Sequence, residues 1–152
     1  MEAAASWRRK YLILIAEKKA ILSKTSELIS NPRKEVALIA DKERIMLVLF
    51  HFSDECKLAM KESAFVRLLF EGENPDVLLK EKVARLLGNI SVQVKFYCEP
   101  LNHFIMSDDE EALITTSKES GLGESPSLWT NNRNLIGVLR TSFESDWKKA
   151  EE

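Results

Sequence analysis

The chain has 152 residues, 45% of them hydrophobic and 30% charged, which suits one soluble domain with a core of its own. A net charge of −2 gives no global field toward nucleic acid or an anionic membrane, and no apolar run approaches the ~20 residues of a membrane span. Two cysteines and two histidines make neither a disulfide framework nor a zinc site.

Ala3 to Ile29 reads as one long helix. Trp7, Tyr11, Leu14, Ile21 and Leu28 recur along one line, and Leu12, Ile15, Leu22 and Ile29 form a second beside it. Such a broad apolar face can serve the core alone, or the core and a partner helix. Ser30-Asn31-Pro32 ends the helix. Glu35–Ala40 then reads as a buried strand, and Lys42 to Glu62 as a helix carrying Ile45, Leu49, Phe52, Cys56 and Met60. Phe65–Phe70 is a second apolar strand. A turn at Gly72–Pro75 starts a helix with Val77, Leu78, Val83, Leu86 and Leu87 on its apolar face, terminated by Gly88-Asn89.

Ser91–Glu99 alternates, with Val92, Val94, Phe96 and Cys98 on the inward side. His103–Ser107 and Glu111–Thr116 form a hairpin across Asp108-Asp109-Glu110. Ser117 to Pro126, with two glycines, is the one candidate mobile loop. Leu128–Thr130 is a short strand. Asn132 caps a last helix whose stripe is Leu135, Leu139, Phe143 and Trp147, and Lys148–Glu152 should fray. The front half alternates strand and helix, which argues for parallel pairing, and the back half is antiparallel. The expected fold is α/β: a mixed sheet with helices on both faces, preceded by a long N-terminal helix.

Several side chains could carry chemistry. His103 opens a strand and could line a pocket as a tunable polar group. Cys98 reads as a buried thiol and Cys56 as core. His51, between Phe50 and Phe52, reads as structural or surface, and Trp147 as core. Trp129 with Asn131 offers stacking and hydrogen bonding to a small polar ligand, or ordinary packing. Asp108-Asp109-Glu110-Glu111 reads as a solvated turn rather than a cation site.

Leu101-Asn102-His103-Phe104-Ile105-Met106-Ser107-Asp108 resembles the His-x-Lys-x-x-x-x-Asp motif of phospholipase D-type domains, in which the histidine is the nucleophile and the lysine neutralises phosphoryl oxygens. Asp108 matches the motif's aspartate. Leu101 stands in place of the histidine and His103 in place of the lysine, so that reaction is not available by this route. Three segments together, His103–Ala112, Leu128–Asn132 and Phe143–Ala150, resemble the non-catalytic, phospholipase D-like effector-sensing domains of archaeal transcription regulators similar to the TrmB family.

The resemblance implies a single sensor and dimerisation domain over residues 1–152. Residues 1–30 would be the linker or dimerisation helix and residues 34–152 the core. It implies no catalytic residue, metal or cofactor. Ligand contacts are expected at His103, Cys98, Trp129 and Asn131, and a homodimer seam at Trp7, Tyr11 and Leu14. DNA would be reached only through a domain outside this chain, a small-molecule effector would be the input, no membrane is involved, and the setting is cytoplasmic. The alternatives are a protein-interaction module of the same fold and, behind it, a phosphodiesterase or nuclease.

Overall fold

The computed structural model describes residues 9–72, 76–88 and 92–151. The expectations for Trp7, Pro75 and Asn89 lie outside them. A seven-stranded mixed sheet runs in the order β1-β7-β6-β5-β2-β3-β4. Its strands are β1 (Leu12–Ile15), β2 (Glu35–Asp41), β3 (Phe65–Glu71), β4 (Val92–Tyr97), β5 (Phe104–Ser107), β6 (Glu111–Thr115) and β7 (Ser127–Thr130). The helices are α1 (Lys18–Ser30), α2 (Lys42–His51), α3 (Ser53–Lys61), α4 (Val77–Leu87) and α5 (Arg133–Lys149).

β2, β3 and β4 pair in parallel, and all other pairings are antiparallel. β2 is central because both its faces are apolar. Val36, Leu38 and Ala40 join the core formed with α1 to α4, whereas Ala37 and Ile39 join the core under α5. No helix of the described residues is long and apolar enough to cross a membrane.

The long N-terminal helix is not formed. Residues 12–15 are a strand antiparallel to β7, and the first helix of the described residues begins at Lys18. Leu12-Ile13-Leu14-Ile15 is an unbroken apolar run that satisfies helical and strand periods alike, and pairing with β7 decides between them. β1 is a sheet edge, with Leu12, Ile13 and Leu14 exposed by 57%, 44% and 60%.

Other boundaries also differ from expectation. The helix expected over Lys42–Glu62 breaks at Phe52, whose N–H closes α2 on the Val48 carbonyl, and Ser53-Asp54-Glu55 opens α3. The α5 stripe is Ile136, Leu139, Phe143 and Trp147, with Leu135 outside it. Strict four-residue spacing drifts around a helix of 3.6 residues per turn, so the stripe must take a three-residue step. The C-terminus does not fray at Lys148: α5 runs to Lys149, and Glu151 exchanges two backbone hydrogen bonds with Phe96 on the β4 edge. The loop from Ser117 to Pro126 is tied down by a Lys18–Glu124 ion pair and by the Thr116 hydroxyl donating to the Pro126 carbonyl.

The β5–β6 turn fixes both faces. Asp108 and Asp109 have φ of 56° and 64°, a left-handed conformation that aspartate tolerates better than most residues. The Asp108 carboxylate accepts the backbone N–H groups of Arg33, Lys34 and Glu35 at 2.5–2.8 Å. The Asp109 carboxylate accepts from Arg140 Nε at 2.6 Å, and Arg140 also meets Glu35 at 3.2 Å. Arg67 joins Glu35 to Glu144, with its guanidinium 4.5 Å from the Phe143 ring centroid. Removing one anion that holds three donors should matter more than removing a free one. Asp108→Ala is expected to cost about 2–3 kcal/mol in urea unfolding, and Glu110→Ala less than about 0.5 kcal/mol.

Candidate functional site

The parallel strands β2 and β3 end at Asp41 and Glu71, and ligands in open α/β sheets collect at such carboxyl ends. Asp41 caps α2, accepting the Arg44 N–H at 2.8 Å. Glu71 Oε1 accepts the Leu101 N–H at 2.6 Å and faces Lys118 Nζ at 3.2 Å and His103 Nε2 at 3.5 Å. The last contact is long for a hydrogen bond, and neither ring nitrogen of His103 has a partner at hydrogen-bonding distance, although the residue is only 2% exposed. The His103 carbonyl is used normally, accepting from the Thr115 N–H at 2.9 Å.

Electrostatics here favour a neutral imidazole. Burial lowers the His103 pKa, and the opposing pull of Glu71 and Asp41 does not restore it. Burial pushes the Glu71 carboxyl up, but the Leu101 N–H and Lys118 outweigh it and hold the pKa below the usual carboxylate value.

Beside this cluster, the Arg44 guanidinium donates through Nη2 to the carbonyls of Ser117 and Ser120. Its Nε is buried without a partner. Burial lowers the Arg44 pKa against the pull of Asp41. The adjoining cavity, between α1, α2 and the 117–126 loop, holds only about 30 Å3. That is room for a water or two, not for a metabolite. The motif's aspartate is remote from this end: four-residue β5 separates His103 from Asp108, a span of ~16 Å, and Asp108 binds only backbone.

The four residues expected to meet a ligand fall into different places. Trp129 and Asn131 share a groove of about 730 Å3 at the end of the sheet marked by the Asp108 turn. Its walls come from Arg9 and Lys10 ahead of β1, Arg33 ahead of β2, the Glu110-Glu111 turn and Arg133 at the start of α5. Trp129 Nε1 donates to Glu111 at 3.1 Å, and Lys24 Nζ lies 4.7 Å from the indole centroid. Asn131 Oδ1 accepts the Tyr11 N–H at 2.7 Å, and Asn131 Nδ2 donates to the Arg9 carbonyl at 3.0 Å. His103 and Cys98 do not line this groove.

Cys98 is not inward-facing but exposed. β4 stops at Tyr97, so the alternation that would have turned the thiol inward ends one residue too early. Cys56 is buried as expected, with burial and Glu55 pushing its thiol up to about 12. His51 is exposed, and Trp147 is half-buried against Arg67 and Lys95. Sequence reasoning missed Glu71, Arg44 and the groove's cations. Glu71 left one signal, an acidic residue closing an apolar strand just before Gly72.

The sign of the His103 shift sets a pH dependence. An unfolded chain protonates this histidine near pH 6.5 and the folded one only at lower pH, so its contribution is complete above about 6.5 and is lost as pH falls from there toward the folded pKa. The wild-type urea midpoint should therefore drop on acidification through this window. His103→Leu should flatten that slope, and an unchanged slope would show that another group titrates there.

Comparison with known proteins leaves sequence and structure in different positions. No family model matches the chain, and no curated protein matches its sequence. Solved structures do. NucT from Helicobacter pylori superposes with a TM-score of 0.73 at 13% identity, covering 94% of this chain and 99% of that one. Nuc from Salmonella typhimurium, a phospholipase D family member, gives 0.68 at 10% identity over 94% and 97%. The archaeal chromatin protein TrmBL2 gives 0.70 at 15% identity over 99% of this chain, which spans 58% of that protein's length. At such identities the likeness defines architecture, and the chain has the phospholipase D-like fold.

Proposed function

We propose that this chain is a non-catalytic effector-sensing and dimerisation domain of a transcription regulator, and that DNA is reached through a domain outside it. The observation that carries the reading is the state of the strand ends. Leu101, where the motif's nucleophile would stand, is 4% exposed and has no nucleophilic atom. His103 is buried beside Glu71, and the nearby cavity, lined by neither His103 nor Leu101, has room for only a water or two. A chain with this fold and without that reaction is suited to binding. TrmBL2, described as a chromatin protein that binds DNA, supports the placement of such a domain within a longer DNA-binding protein.

The dimer follows from β1. Its four residues are all apolar, three are well exposed, and among the described residues no strand covers its outer edge. Unpaired backbone groups flanked by apolar side chains form a template for another strand, and antiparallel pairing with the β1 of a second copy satisfies both edges at once. Leu14 in β1 and Tyr11 just ahead of it remain the expected seam residues.

A second reading, a protein-interaction module, draws on the exposed apolar hollow of Met46, Leu47, Phe50 and Leu86, with Phe50 71% exposed. Sedimentation at high concentration separates the assemblies. The wild-type chain should run as a dimer, and Leu14→Lys as a monomer with its unfolding transition retained. A wild-type monomer would remove the dimerisation role. Metal-free phosphodiester cleavage lost in His103→Ala would overturn the non-catalytic reading.

A further inference from the structure

We propose that the groove beside Trp129 binds a small phosphorylated metabolite, its phosphate held by Arg9, Lys10, Arg33 and Arg133 and its organic part laid against Trp129 and Asn131. The proposal names the effector class for the sensor reading above and takes its regulatory meaning from that reading.

Charge is the first argument. The chain as a whole is acidic, yet this groove gathers four cations against the two carboxylates of Glu110 and Glu111. A phosphomonoester carries about −1.5 to −2 near pH 7, which that excess can match. The three arginines are the second argument. Arg44, Arg67 and Arg140 donate to protein acceptors elsewhere in the fold. The guanidinium groups of Arg9, Arg33 and Arg133 have no protein partner among the described residues, and the planar fork of each fits two phosphate oxygens. Arg133 is the first residue of the 17-residue α5, so the positive end of that helix dipole lies on the groove's rim.

Size and surroundings select the ligand. A hollow of about 730 Å3 lies within the range for small-molecule sites. Glu110 and Glu111 in the same lining would repel a polyanion extended across the groove, which argues for a compact phosphate rather than a nucleic-acid backbone. Trp129 is held in place by Glu111 and Lys24, so its surface is presented without further ordering.

The groove also has two sides of different origin. Arg9 and Lys10 lie on the segment entering β1, which Asn131 holds by two hydrogen bonds, whereas Arg33 and Arg133 belong to the core. A phosphate shared between them ties the entering segment to the core. Ligand occupancy thereby changes how firmly β1 and whatever precedes it are held.

Isothermal titration calorimetry on the full chain tests the site with AMP, glucose 6-phosphate and inorganic phosphate, beside adenosine, glucose and a duplex DNA. A phosphomonoester should bind while adenosine and glucose do not. Arg33→Ala and Arg133→Ala should each weaken binding by at least about tenfold, with unfolding midpoints unchanged. Arg85→Ala, on α4 and outside the groove, should bind as wild type. No heat from any phosphate compound at millimolar concentration overturns the proposal. So does binding unaffected by both arginine variants, and so does binding of the duplex alone. Sedimentation separates the two readings: phosphate binding by a chain that never dimerises keeps the site and removes the dimerisation role, whereas a dimer without phosphate binding does the reverse.

Discussion

The Asp108 carboxylate is the point on which both faces of the molecule turn. By taking three consecutive N–H groups at the start of β2, it sets where the central strand begins against the hairpin that follows. Those donors precede or open the strand and have no ladder partner of their own, so without an acceptor they would be left to water or unpaired. Its neighbour Asp109 extends the same turn to Arg140, and through Glu35 and Arg67 to the face of α5. One acidic turn thus aligns the β2–β5 register and orients the helix that closes the second core.

That arrangement separates two ends of the sheet with different chemistry. At the His103 end, carboxylate, imidazole and ammonium groups face one another in a nearly filled space, and their mutual contacts satisfy much of the local charge. At the Asp108 end, arginines stand around an open hollow. The motif-like residues Leu101 and His103 lie at the first end, and the open volume lies at the second. A residue pattern that resembles a reacting site indicates where strands end; it does not indicate where space remains.

Much of the architecture was legible in the chain. The apolar runs at Val36–Ile39 and Phe65–Phe70, the alternation at Val92–Phe96 and the hairpin across Asp108–Glu110 all have one physical interpretation, and the mixed sheet followed from them. The N-terminus did not, because Tyr11–Ile15 is apolar at every position and its periodicity cannot choose between helix and strand; only the distant β7 does. The break at Phe52 was hidden for a related reason, since the apolar spacing continues across it. Of the site, Trp129 and Asn131 were visible as an aromatic–amide pair. Arg9, Arg33 and Arg133 lie more than a hundred residues apart at their extremes, and only the fold gathers them.

The bridge between Phe96 and Glu151 carries a consequence for growth of the sheet. A chain able to add strands at both edges can polymerise without limit, each copy offering what the next consumes. Here a strand approaching β4 must first displace Glu151, while among the described residues no strand covers the outer edge of β1. Pairing β1 with β1 joins like to like and leaves two Glu151-capped edges outward. In the proposed dimer, assembly by that route would end at two copies, and an exposed apolar strand that is otherwise an aggregation hazard would become a device that counts.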